Sequence, residues 1–206
     1  MSDEPRPLLQ QAKQGGTLEQ GQLFASYTNY LKIIAESQLD RRVRRRVSPS
    51  DLVQETLLEA HRDFGAFRGK TDAEFVVWLR QILVHNLMRA SEKHLQTDKR
   101  DVRREVYVQA LHASIEKSNA RLEHVLADRI GSPSSEAGRL EQMRLVSNAI
   151  ADLPAEQRQV IVLRHVEGLQ FAEIAEQMER SSGACRMLWL RGMDQLRERL
   201  DGVELE

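Results

Sequence analysis

The side chains best suited to proton transfer or metal binding are the six histidines, His61, His85, His94, His112, His124 and His165, and their spacing serves neither purpose. Cys185 is the single cysteine and falls on the apolar face of a predicted helix, where a thiol packs and does not react. No glycine-rich phosphate cradle and no nucleophile motif occurs. The chain is therefore expected to be no enzyme and to hold no metal or cofactor. What remains is the chemistry of recognition. Asp51 and Glu55 stand four residues apart, one helical turn. The run from Asp63 to Lys70 carries the aromatics Phe64 and Phe67, the cations Arg68 and Lys70, and two glycines. Arg41, Arg42, Arg44, Arg45 and Arg46 form a block, which serves equally as a solvated helix end or as a set of phosphate contacts. Arg180, Arg186, Arg191, Arg197 and Arg199 are spread along one C-terminal segment.

These groups need a scaffold, and 206 residues with 41% apolar and 30% charged side chains suffice for one or two folded domains with a core. Thirty Lys and Arg oppose thirty-one Asp and Glu, so attraction to a polyanion must come from local patches and not from the whole chain. No apolar run approaches the roughly 18 to 20 residues that span a bilayer, and the opening MSDEPRPLLQQAKQGG lacks the pattern of a secretion signal. A cytoplasmic location with no membrane partner is expected.

Apolar residues recur at steps of three and four, and no strand or hairpin pattern is found, which predicts an all-α protein. Leu23, Tyr27, Leu31 and Ile34 make one stripe; Leu52, Val53, Thr56, Leu57 and Ala60 a second; Phe75 to Ala90 a long third. Ser48-Pro49-Ser50-Asp51 and Thr71-Asp72-Ala73-Glu74 are helix starts with cap hydroxyls. From Lys99 to Gly131 polar residues interrupt any continuous stripe, which reads as a connector with some helix. Gly131-Ser132-Pro133-Ser134-Ser135-Glu136 then opens a second helical unit. The expected organisation is two small helical domains, 1–98 and 134–206, joined by a linker, 99–133.

Within the second unit, Gln170 to Leu200 has the layout of a helix-turn-helix. A short apolar-faced helix carries Phe171, Ile174, Ala175 and Met178, a break follows at Glu179-Arg180-Ser181, and a final helix has a polar start and basic outer face. Ser181 would cap that helix and leave its N-terminal amides for phosphate. An ordinary helical hairpin shares this layout. So does a dimeric regulator that binds an operator by itself.

The flanking residues resolve this. Ala151-Asp152-Leu153-Pro154-Ala155-Glu156-Gln157-Arg158-Gln159-Val160-Ile161-Val162-Leu163-Arg164, then Glu167-Gly168-Leu169-Gln170-Phe171-Ala172-Glu173-Ile174-Ala175, then Arg180-Ser181-Ser182-Gly183-Ala184-Cys185-Arg186 and Arg191, closely resemble the C-terminal DNA-binding domain of bacterial sigma factors. Asp51-Leu52-Val53-Gln54-Glu55-Thr56 resembles that family's polymerase-binding motif DLVQET. Phe67-Arg68-Gly69 followed by Phe75, Trp78, Leu79 and Ile82 resembles its promoter-melting segment. The order and the compact spacing, from about Leu18 to Leu200, are similar to the extracytoplasmic-function group.

The resemblance implies a subunit that binds core RNA polymerase, on the clamp helices of the largest subunit and on the flap, and directs it to promoter DNA. It implies that Asp51, Leu52, Val53, Gln54 and Glu55 form the polymerase contact, although Leu52 by its spacing belongs to the core. It implies that Phe67, Arg68, Lys70, Arg80, His85, Asn86 and Arg89 meet the minus-ten element, with Phe64 and Trp78 in structural roles. Arg180, Ser181, Ser182, Gly183, Arg186, Met187 and Arg191 would meet the minus-thirty-five element. An anti-sigma factor is a further partner by resemblance. The sequence departs from the family pattern at His85, where Asn is common, at Leu188, where many members carry Arg, and at Gly192, where they carry Ala. The last two substitutions imply fewer phosphate contacts.

Overall fold

The computed structural model describes residues 8–39, 41–44, 46–95, 101–125 and 135–201. The first part of the expected boundary at Gly131 to Ser134 lies outside them, as do Leu126 and the side chains of Arg41, Arg42 and Arg45. All regular structure among the described residues is helical. In chain order the helices are α1 (Leu8–Gln14), α2 (Thr17–Gln38), α3 (Arg41–Arg44), α4 (Pro49–Asp63), α5 (Asp72–Leu95), α6 (Asp101–Glu123), α7 (Glu136–Ala151), α8 (Ala155–Ile161), α9 (Phe171–Met178) and α10 (Ser182–Leu200). A 3₁₀ turn, Phe64–Ala66, follows α4, and a π turn, Val162–Val166, extends α8. No helix of the described residues is long and apolar enough to cross a membrane.

The helix starts follow from their capping chemistry. Ser48 Oγ accepts the Asp51 amide at 3.0 Å, and Pro49 occupies the first turn of α4, where its missing N–H costs nothing. At α5, Thr71 Oγ1 accepts the Glu74 amide at 3.2 Å while Glu74 Oε2 accepts the Thr71 amide at 3.0 Å, a reciprocal capping box. Those backbone bonds, with the Lys70 amide first among them, hold the exposed Glu74 carboxyl below its ordinary range. Ser135 caps α7: its Oγ accepts the Gly138 amide at 3.0 Å.

Buried faces then assemble the helices. Leu23, Tyr27, Leu31 and Ile34 of α2 are all buried, as are Leu52, Val53, Thr56 and Ala60 of α4 and Phe75, Leu79, Leu83 and Leu87 of α5. The N-terminal core is built around aromatic rings, with Phe75 within 6.0 Å, centroid to centroid, of Phe24, Tyr27, Phe64, Phe67 and Trp78. In the C-terminal part Met143, Val146, Ile150, Val160, Ile161, Ile174, Cys185 and Leu196 are buried together. The two groups run on into each other across α2, α6 and α7.

Residues 101–123, expected as a connector with some helix, form one continuous helix of 23 residues. The stripe that polar residues seemed to interrupt is real, because the interrupting residues are themselves buried. Ser118 and Asn119 are each 3% exposed; Gln38 Nε2 donates to Ser118 Oγ at 3.2 Å and Tyr30 Oη donates to Asn119 Oδ1 at 2.8 Å. With Leu111, Ile115 and Leu122 they complete a face against α2, α7 and the π turn. Polar links join the halves elsewhere: Asn29 to Asn148 at 2.9 Å, and Arg44 to Glu167 at 2.8 Å.

The α10 helix runs unbroken through Gly192 to Leu200. A Cβ on Gly192 would lie 2.7 Å from Ile161 Cδ1 and 3.3 Å from Gln157 Cβ, so this glycine lets α10 cross α8 closely. Gly192 is buried there, on the face of α10 turned to α8 and away from solvent.

Candidate nucleic-acid and docking interfaces

On α4 the recognition groups stand out from the stripe that anchors them. Leu52 and Val53 are 2% and 0% exposed, so both belong to the core and position the surface without forming part of it. Asp51, Gln54 and Glu55 are exposed on the opposite face. The same face carries Leu58, a leucine 72% exposed, which sequence reasoning missed. Its signal was position: Leu58 stands three residues after Glu55 and seven after Asp51, on the face of those carboxylates and off the buried stripe. Glu55 and Glu59 both approach Arg89 of α5, the former at 3.7 Å. An apolar side chain ringed by carboxylates makes a surface suited to a basic partner with an apolar centre.

The loop after α4 is held by its rings. Phe64 is buried; Phe67 lies 5.0 Å from Trp78 and 5.6 Å from Phe75, with Lys13 Nζ 5.0 Å above its ring. Only glycine fits at Gly69, where a Cβ would fall 2.3 Å from Phe67 Cζ. Phe67 and Trp78, together with Lys70, Val77, Gln81 and Glu136, line an open groove. Arg68 and Lys70 are both exposed, Lys70 on the groove and Arg68 with its Nη1 donating to the Gly65 carbonyl at 2.7 Å. Gln81, missed in the sequence, lies one turn before His85, and both are exposed.

Three residues expected at the minus-ten element are placed otherwise. Asn86 is 1% exposed; its Nδ2 donates to Thr56 Oγ1 at 3.0 Å and its Oδ1 accepts from Arg89, so it is a buried polar link between α4 and α5. Arg80 turns away from the groove. Its guanidinium donates to Tyr30 Oη at 2.6 Å and to Glu116 of α6 at 3.0 Å, with the side chain 13% exposed. Five residues separate Arg80 from His85, about 140° around a helix, so the two do not share a face. Burial, only partly offset by Arg80, pushes the Tyr30 hydroxyl up to about 12, and it stays a neutral donor to Asn119. Arg89 is exposed but occupied by the α4 carboxylates.

The helix-turn-helix forms from α9 and α10. Gln170 and Glu173 make the entry to α9, the Gln170 amide donating to Glu173 Oε2 at 2.7 Å. The turn passes through Glu179 at φ 54°, the only non-glycine with positive φ among the described residues. Ser181 then caps α10, accepting the Ala184 amide at 3.2 Å. Ile174, Ala175 and Cys185 fill the crossing, while Arg180, Ser181, Gly183, Arg186, Met187 and Arg191 are exposed and Ser182, half-buried, donates to the Phe171 carbonyl at 3.4 Å. Arg180 is paired with Glu156 of α8. Replacing Ser181 by alanine should cost about 1 kcal/mol of stability, read as a lower midpoint in urea at unchanged slope.

A half-buried aromatic pair fixes the same unit. Trp189 Nε1 donates to His165 Nε2 at 2.8 Å, so the imidazole is neutral with its proton on Nδ1, and burial, reinforced by Arg164, holds its pKa below the ordinary 6.5. Below pH 6.5 the unfolded chain binds a proton that the folded one refuses. Stability from this site is therefore full above 6.5 and is lost as pH falls toward the depressed folded value. The melting temperature should drop between pH 7.5 and 5.5, and His165→Gln, which keeps an acceptor but cannot titrate, should flatten that drop.

Residues 143–196, spanning α7 to α10, match the family model described as Sigma-70, region 4. The chain is 26% identical over 193 residues to the ECF RNA polymerase sigma-E factor of Haemophilus influenzae, a match covering 94% of this chain and 93% of that one. It is 29% identical over 140 residues to proteins of the same description from Escherichia coli K12 and Salmonella typhimurium, covering 66% of this chain and 65% of each relative. A region 4 helix-turn-helix with its cap and crossing intact thus sits in a chain that is similar over nearly its full length to an ECF RNA polymerase sigma-E factor.

Proposed function

We propose that the chain binds core RNA polymerase in the cytoplasm and directs it to promoters, with α10 on the minus-thirty-five element and the Phe67 loop with the outer face of α5 on the minus-ten element. It acts as two units, 1–98 and 134–206, that polymerase holds at the spacing the two elements require. The face of Asp51, Gln54, Glu55 and Leu58 docks on the clamp helices of the largest subunit, where basic residues meet the carboxylates. Phe67, Arg68 and Lys70, with Gln81 and His85, receive the unstacked non-template strand, since opening a duplex requires a platform and cations for the base that leaves the stack. An anti-sigma protein would restrain it by covering these same surfaces.

The observation that carries this reading is the exposed recognition face of α10, with a capped N-terminus and an opposite face buried against α8. Its charge balance explains the need for polymerase. Between Gln170 and Leu200 the five carboxylates of Glu173, Glu176, Glu179, Asp194 and Glu198 balance the five arginines Arg180, Arg186, Arg191, Arg197 and Arg199. Such a module releases few counterions and binds DNA weakly alone. Tethering two weak contacts through polymerase raises their effective concentration and restores specificity. The test is run-off transcription with purified core enzyme on genomic fragments, with sequencing of the 5′ ends. Promoter-dependent starts and co-elution with core are expected. Failure of both, or tight protection of a symmetric operator by the chain alone, would refute the proposal.

A further inference from the structure

The exposed face of α10 is not basic along its centre. At about 100° per residue, Gly183, Met187 and Leu190 project within roughly 40° of one line, while Arg186 stands about 60° to one side and Arg191 about 80° to the other. Cys185, Gly192 and Leu196 point the opposite way and are buried, so the line is the outermost strip of the helix. Met187 is 50% exposed and Leu190 44% exposed, two of the few large apolar side chains that reach solvent among the described residues. Gly183 adds no bulk: a Cβ there would meet only Ser181 Oγ, at 4.0 Å. Arg186 is braced on its flank, its guanidinium 5.6 Å from the Phe171 ring of α9. Asp194 continues the strip one turn beyond Leu190 and ends it, since a carboxylate is repelled from the groove.

A helix entering the major groove places its outermost strip against the base edges and its flanks toward the two phosphate backbones. We propose that Met187 and Leu190 read the C5-methyl groups of thymines in the minus-thirty-five element, with Gly183 permitting close approach, and that Arg186 and Arg191 straddle the groove to phosphates. The apolar group that a base pair offers in the major groove is the thymine methyl. Sequence preference at this element then comes from methyl contacts over the three or four base pairs that roughly 12 Å of helix can cover, not from arginine forks on guanine. This inference rests on the assignment of α9 and α10 to the upstream promoter element.

The test uses holoenzyme reconstituted from the full chain and core polymerase on a promoter defined by its own transcript starts. Each thymine of the upstream element is replaced singly by deoxyuridine, which removes the methyl and leaves every hydrogen-bonding group. At one or two positions the parent holoenzyme should lose about 3- to 5-fold in promoter binding, the worth of one buried methyl. Met187→Ala or Leu190→Ala should bind the parent promoter correspondingly less well and become indifferent to the uridine at its own position. Met187→Leu should keep the sensitivity. Arg186→Ala should weaken all sequences alike and lower the salt dependence by about one ion. An upstream element without thymine, or a uridine series silent in a holoenzyme that still discriminates base changes there, overturns the methyl readout alone. A holoenzyme indifferent to the whole upstream element overturns the assignment beneath it.

Discussion

The Asp51→Arg, Glu55→Arg protein should fold as the parent does and fail to form holoenzyme, with affinity for core polymerase reduced at least about 100-fold, or roughly 3 kcal/mol. Folding is spared because neither carboxylate supports the core. Asp51 is exposed, its amide and not its carboxyl being tied to Ser48, and the pair of Glu55 with Arg89 at 3.7 Å is half-exposed on both sides, where such pairs contribute little. Binding is not spared, because two attractions to a basic partner become two repulsions within one helical turn. Leu58→Ala should cost about 10-fold more gently, and without salt dependence, since the apolar centre contributes by burial while the carboxylates contribute by charge. Glu198→Arg, an exposed reversal at the far end of α10, serves as the control. Equal holoenzyme formation by parent and double variant in a co-elution titration would remove α4 from the polymerase interface.

The parts of this molecule legible in its sequence are those fixed by near neighbours. The caps at Ser48, Thr71 and Ser181 are local hydrogen bonds, and each starts its helix where the residue types put it. The stripes of α2, α4 and α5 follow the helical period, so their buried faces could be read residue by residue. What escaped is what depends on a second element. Ser118 and Asn119 look solvent-facing until Gln38 and Tyr30 arrive from α2 to pair with them, and the connector becomes a packed helix. Asn86 falls on the buried stripe of α5 by its period, yet its amide suits a base as well, and only Thr56 shows where it is used. Gly192 looks like a lost phosphate contact until Ile161 is found where its side chain would be. Arg80 is instructive in another way: counting its angle from His85 would have separated the two, yet only α6 explains why it stays put, through Glu116. The C-terminal helix-turn-helix was legible because its signals are dense and local. The character of its reading face was not, because the arginines draw the eye and Leu190 shows its exposure only once the helix is docked.

Phe75→Ala should have the largest effect on stability of any single change in the N-terminal half, about 3 to 5 kcal/mol. The ring is fully buried, and five others surround it at centroid distances of 5.6 Å for Phe24, Tyr27 and Phe67, 5.8 Å for Trp78 and 6.0 Å for Phe64. Rigid helices on every side leave the cavity no easy collapse, so the transfer and void terms add. Against a typical total of about 5 to 15 kcal/mol this is at least about a fifth of the stability, and the melting temperature should fall by about 10 °C. The functional consequence separates from the thermal one in Phe75→Leu, which fills most of the space and loses only the edge contacts, about 1 kcal/mol. Phe67 rests on Phe75 and Trp78, so the leucine variant should keep its fold and its polymerase binding while the loop loses its seat. Promoter opening, read as permanganate reactivity of thymines in the melted segment, should then decline several-fold at a temperature where both proteins are folded. Unchanged opening in that variant would free the loop from the aromatic core, and an alanine variant that melts with the parent would show that the six rings do not form one cooperative cluster.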